Sequence, residues 1–143
     1  MSYATMRNAS ALYRQTRAQG SVEGADRHQL VAMLLDGLVD RISQARGHIM
    51  HKDIAAKGQA FSKAIGILGE LRRSLNHDVE PVLTGRLDAL YDYISRRLIH
   101  AQLNDDLRAL DESERLIAPI RQAWHAIRGE FLAEQGKLQA VKP

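Results

Sequence analysis

Apolar residues recur three and four apart in four successive stretches of the chain, with no strand pattern between them. The first stripe is Val31, Leu34, Leu35, Leu38, Ile42, Ala45 and Ile49, and the second is Phe61, Ala64, Ile65, Leu68, Leu71 and Leu75. The third is Leu87, Leu90, Tyr91, Ile94, Leu98 and Ala101, and the fourth is Leu107, Leu110, Ile117, Ile120, Trp124 and Ile127. In the first stripe the repeat is close to a heptad, which suits neighbouring helices crossing at a shallow angle. The pattern predicts an all-α fold, an antiparallel four-helix bundle.

Local signals divide the chain further. Asp26 with Gln29 three residues on reads as a capping box that opens the first helix, which then runs to about Met50. The connector His51-Lys52-Asp53 is so short that helices one and two must be antiparallel neighbours, with Asp53 capping the second. Asn76-His77-Asp78 breaks the pattern, Pro81 suits the first turn of the third helix, and Asp105 and Asp106 suit the start of the fourth. Pro119 predicts a kink or two shorter helices meeting near Ala118, and Gly129 a C-terminal stop. The expected organisation is therefore a flexible N-terminal arm over residues 1–25, a bundle over 26–129 and a short frayed tail over 130–143. Gly58, Gly66 and Gly69 inside the second helix admit two readings, close helix approach, which is favoured, or the floor of a groove.

Composition narrows the picture. A length of 143 residues suits one domain, and 45% apolar with only 5% aromatic residues implies a core of Leu, Ile and Ala. The absence of cysteine excludes disulfides, thiolate metal sites and cysteine nucleophiles. No apolar run resembles a signal peptide or a membrane span, so the expectation is a soluble, cytoplasmic protein without membrane insertion. The net charge of +3 raises nucleic acid or an acidic partner. Against this, the two signs are nearly balanced in the first, third and fourth stretches, and no basic face stands out.

Catalytic patterns are lacking. No Glu-x-x-His pair of a di-iron bundle is present, and His48, His51 and Asp53 read as a solvated helix end rather than a metal site. His51 beside Lys52, or His100 near Arg96 and Arg97, meets the needs of phosphotransfer only as any surface histidine near a cation does. Gly-rich phosphate loops, HExxH and nucleophile elbows are absent. The expectation is a non-enzyme with no catalytic, metal or cofactor residues. More telling is a surplus of apolar residues off the main stripes: Ile67, Val82, Tyr93, Ile99, Leu103 and Leu116. They are either edges of a wide core stripe or the lining of grooves for amphipathic segments of another chain.

Four blocks in order carry a family resemblance. Gln29-Leu30 through Leu34-Leu35-Asp36-Gly37, then Lys57-Gly58-Gln59-Ala60-Phe61-Ser62-Lys63-Ala64-Ile65, then Leu90-Tyr91-Asp92-Tyr93 with Arg96-Arg97-Leu98, and finally Ala123-Trp124 with Ile127 resemble the flagellar export chaperone FliS family. The match spans roughly Leu12 to Ile127. The resemblance implies a cytoplasmic bundle that binds the C-terminal segment of flagellin, prevents its premature polymerisation and delivers it to a component of the flagellar export gate. It also implies an arm whose tyrosine, Tyr13 here, lies over part of the apolar surface. Departures are Leu35 in place of an aromatic, Gln102 in place of an asparagine, and Pro119 where the family has no proline.

The residues expected to bind the partner are Tyr13 from the arm, Ile65, Ile67, Leu68 and Leu71 from the second helix, and Leu87, Leu90, Tyr91, Tyr93 and Ile94 from the third. Tyr91 and Ile94 lie on the main stripe and are equally readable as core, while Arg96 and Arg97 read first as solvated charge. Monomer and homodimer both remain open for the free protein. The competing reading is a basic helical adaptor that binds nucleic acid or an acidic protein.

Overall fold

In a computed structural model, which describes residues 21–141 and the side chains of residues 27–130 and Ala133, every element is a helix. These are α1 (Ser21–Met50), α2 (Ile54–Arg73), α3 (Pro81–Asn104) and α4 (Leu107–Val141). Each packs on the next, and α4 returns to α1, so the four stand in chain order around a shared core. Cross-links fix the directions. Arg46 near the end of α1 pairs with Asp111 and Glu114 near the start of α4, while Asp36, further back on α1, meets Arg121 and His125. Arg72 and Lys57, at opposite ends of α2, reach Asp88 and Asp105 at opposite ends of α3. The bundle is antiparallel throughout, as short connectors require.

The apolar stripes meet at the centre. Leu35, Leu38, Ile42, Phe61, Leu68, Leu71, Ile94, Leu98, Leu110 and Ile117 are all fully enclosed. Burying each such side chain contributes roughly 1.5–3 kcal/mol before entropy is counted. Leu35 at 0% exposure packs in the core, so its departure from an aromatic alters packing rather than surface.

The connectors follow their sequence signals. Asp53 accepts a hydrogen bond from the Ala56 amide at 3.1 Å and caps α2. Lys52, with φ 56°, takes the left-handed position after α1, and the hydrogen bonds Asp53 N–H to His48 O and Lys52 N–H to Ile49 O close the reversal. Asp105, with φ 49°, plays the same part after α3, and Asp106 then caps α4 by accepting from the amides of Arg108 and Ala109. Pro81 opens α3.

Four expectations need correction. α1 starts at Ser21, so Asp26 lies inside the helix rather than at its cap. α4 runs as one helix to Val141, so neither two shorter helices meeting near Ala118 nor a stop at Gly129 is found. Buried Ile117, Ile120, Ala123 and Trp124 hold it across the proline, and the Ala, Leu, Glu, Gln and Lys residues that follow Gly129 outweigh its helix cost of about 1 kcal/mol. Leu107, placed on the core stripe, is 36% exposed because it opens α4 at the bundle's end. The glycines of α2 do not mediate close helix approach. A Cβ at Gly58 or Gly66 would meet nothing within 4 Å, and at Gly69 only the Arg73 guanidinium of its own helix. It is Gly37 of α1 that lies close to another helix, 3.4 Å from Ile67 Cδ1 when a Cβ is added.

Candidate partner-binding surface

Two rows of side chains border the seam between α2 and α3. Arg72 of α2 bonds Asp88 at 2.8 Å and Asp92 at 3.3 Å, and Lys57 bonds Asp105 at 2.8 Å and the Gln102 carbonyl at 3.3 Å. These pairs mark the two ends of the seam. Stepping back along α2 from Arg72 by helical repeats of seven gives Ile65 and Gly58, and stepping forward along α3 from Asp92 gives Ile99. Ile65 is half-buried, Ile99 and Ile54 are exposed, and Gly58 leaves open space where other residues would carry a side chain. From Lys57 to Arg72 the seam is about 22 Å long at 1.5 Å per residue, the length of a four-turn helix.

The α3–α4 seam is bordered differently. Leu90, Leu116 and Pro119 are half-buried, and the exposed Tyr93 donates its hydroxyl to Glu112 at 2.8 Å. Glu112 also accepts from Arg97 at 2.8 Å, and these two hydrogen bonds hold its carboxyl below the usual glutamate range. Arg96 bonds Asp92 at 3.1 Å and lies over the Tyr93 ring at 5.8 Å. Both arginines have partners within the bundle, Arg97 at 31% exposure and Arg96 still solvated at 67%.

The expected binding residues separate by burial. Leu68, Leu71, Leu87, Tyr91 and Ile94 are core, at 7% exposure or less, and burial pushes the Tyr91 phenol well above its usual range. Ile65, Ile67 and Leu90 are half-buried and Tyr93 is exposed. Ile65 faces the α2–α3 seam, Ile67 packs toward Gly37 of α1, and Leu90 and Tyr93 line the α3–α4 side, so the four do not form one patch. Tyr13 lies outside the described residues. Of the surplus apolar residues, Val82, Ile99 and Leu103 are exposed, whereas Ile67 and Leu116 are packed against the core.

Sequence reasoning missed Ile54, Leu30, Met33 and Met50, all more than half exposed. Leu30 and Met33 stand at i and i+3 on the flank of the α1 stripe, a spacing that could have shown them. It also missed His28, fully buried and stacked on Trp124 at 4.5 Å. Among the described residues no helix is long and apolar enough to cross a membrane, and no three His, Asp or Glu side chains converge on a common point as a metal site requires.

A profile of the family described as flagellar protein FliS matches residues 8–130. The chain is 36% identical over 115 residues to the flagellar secretion chaperone FliSB of Pseudomonas aeruginosa, covering 80% of this chain and 91% of that one. It is 38% identical over 116 residues to the flagellar secretion chaperone FliS of Salmonella typhimurium, covering 80% and 86%. The corresponding protein of Bacillus subtilis is 35% identical over 113 residues, covering 78% and 84%. With apolar side chains exposed along an otherwise complete four-helix bundle and matches over most of its length, the chain belongs to the FliS family of flagellar secretion chaperones.

Proposed function

We propose that the protein binds the C-terminal segment of flagellin in the cytoplasm, keeps it from polymerising and hands it to a component of the flagellar export gate. The observation that carries this reading is the apolar surface left along the helices. Ile54, Ile65 and Ile99, with Gly58 as floor, offer a groove that an amphipathic helix of about four turns fits. Flagellin termini form coiled-coil helices in the filament, so an unassembled subunit exposes an apolar stripe of the same kind. Covering it needs neither catalysis nor a cofactor.

Of the expected contacts, Ile65, Leu90 and Tyr93 can meet a partner without disturbing the core, and Ile67 can do so at its accessible edge. Leu68, Leu71, Leu87, Tyr91 and Ile94 act by shaping the groove from beneath. Tyr13 of the N-terminal arm would compete for the apolar surface, lowering apparent affinity by the fraction of time the groove is closed.

Isothermal titration with the C-terminal segment of the source organism's flagellin tests the proposal. Submicromolar one-to-one binding, with a negative heat-capacity change and little salt dependence, is expected of apolar burial with coupled folding. Absence of binding at tens of micromolar would overturn it. Affinity that collapses as salt rises would instead support the basic adaptor of nucleic acid or an acidic protein.

A further inference from the structure

At one end of the bundle, where α1 turns into α2 and α3 turns into α4, lies a cavity of about 410 Å³. Two of its lining residues, Ile54 and Lys57, also border the α2–α3 groove, so the cavity continues the groove past its Lys57 end. They stand three apart on α2 and therefore on one face of it. The reversals that shape the cavity are closed by their own hydrogen bonds, Asp53 N–H to His48 O at 2.9 Å and Asp106 N–H to Ala101 O at 3.1 Å. The cavity is thus built into the free protein, and filling it needs no rearrangement of the connectors.

The lining says what the cavity takes. Lys52 and Lys57 face Asp53 and Asp105, so its ammonium and carboxylate charges cancel. Lys57 bonds Asp105 at 2.8 Å, and Asp53 accepts the Ala56 amide. A charged visitor would give up its water here and meet no surplus of opposite charge. Ile49 and Ile54 supply apolar wall. Apolar exposure is also concentrated at this end, with Met50 at 65%, Ile54 and Leu103 at 78% and Leu107 at 36%. An uncharged, bulky apolar side chain fits this surface.

We propose that this cavity is the anchoring end of the client groove. The flagellin segment that lies along α2 and α3 carries, about one turn past its last groove contact, an uncharged bulky apolar side chain that enters between Ile49 and Ile54. The inference rests on the flagellin reading, and adds to it which point of the segment is held most tightly. Along the groove the floor is open at Gly58, whereas the cavity is walled by residues of α1, α2 and both connectors. Side chains enclosed in such pockets carry most of the energy of an interface, so the anchor sets both affinity and the choice among clients.

The test uses the full chain, deuterated but with protonated isoleucine δ1 methyls, in complex with the protonated C-terminal segment of the source organism's flagellin. Nuclear Overhauser contacts from the segment to Ile65 and Ile99 report the groove, and contacts to Ile49, which lines the cavity and not the groove, report the anchor. Contacts to all three are expected. Contacts to Ile65 and Ile99 without Ile49 would overturn the anchor and leave the groove reading standing. Contacts to none of the three would overturn both, and contacts to Ile49 alone would overturn the groove and the anchor's place at its end. His48→Trp fills the cavity from α1 and should weaken the segment by about tenfold while the Ile65 and Ile99 contacts persist, whereas His48→Ala should bind as the unaltered protein does. Unchanged affinity in His48→Trp would overturn the anchor.

Discussion

Trp124 donates its indole N–H to the backbone carbonyl of His28 at 2.9 Å while its ring stacks on the His28 imidazole, centroids 4.5 Å apart and planes 13° from parallel. One tryptophan of α4 thereby anchors the early part of α1. The same contact buries a titratable group. Arg128 lies 3.4 Å from His28 Nδ1, with His125 nearby and the Asp36–Arg121 pair next along the seam.

Burial first, and the charges of Arg128 and His125 after it, push the His28 pKa down from 6.5 to about 4. Folded protein therefore holds His28 neutral where the unfolded chain would bind a proton. The stabilisation is complete above pH 6.5 and is lost as pH falls toward 4, amounting to about 2 kcal/mol by pH 5. Urea unfolding at pH 7 and pH 5 should show this loss, and His28→Gln should remove most of it. An unchanged pH slope in the variant would assign the loss elsewhere.

Lys57 ties the start of α2 to the end of α3 through Asp105 and the Gln102 carbonyl, and its side chain is only 17% exposed. Lys57→Met keeps the aliphatic stem and removes both bonds. The expected loss is about 1 kcal/mol in thermal or denaturant unfolding, because the last turn of α3 gives up a cation on its carbonyls. No loss would mean that solvent screens the pair completely.

Pro119 leaves one backbone hydrogen bond unmade in the middle of α4, yet the helix continues. Pro119→Ala should restore the bond and raise stability by about 1–3 kcal/mol, read from the denaturant midpoint. A destabilised variant would show that the present course of α4 depends on the proline ring.

Gly58 and Gly66 face open space, so alanine at Gly66 should stabilise α2 by about 0.5–1 kcal/mol and leave flagellin binding alone. Gly58→Leu should keep the fold but fill the groove floor between Ile54 and Ile65, weakening the flagellin segment by about tenfold. Equal affinity in the two variants, measured by calorimetry, would place the client on another face.

The bundle was legible in the sequence because Leu38, Ile42, Leu68, Ile94, Leu98 and Ile117 repeat at helical spacing and all lie in the core. Asp53, Pro81 and Asp106 marked helix starts by their own chemistry. Less legible was the continuation of α4 past Gly129, since a single glycine costs a helix less than the residues after it return. The candidate surface was only half visible. Periodicity puts Leu68 and Ile65 on one stripe, but neighbouring helices enclose the first and leave the second accessible. His28 escaped notice because a histidine reads as polar until Trp124, nearly a hundred residues later in the chain, covers it.

Hydrogen exchange of the free protein and of its one-to-one complex with the flagellin C-terminal segment reports where a client lies. A client in the α2–α3 groove adds protection over residues 54–72 of α2 and 88–103 of α3, on both borders of the seam. Binding that leaves these stretches unchanged and protects only α1 or α4 would contradict it.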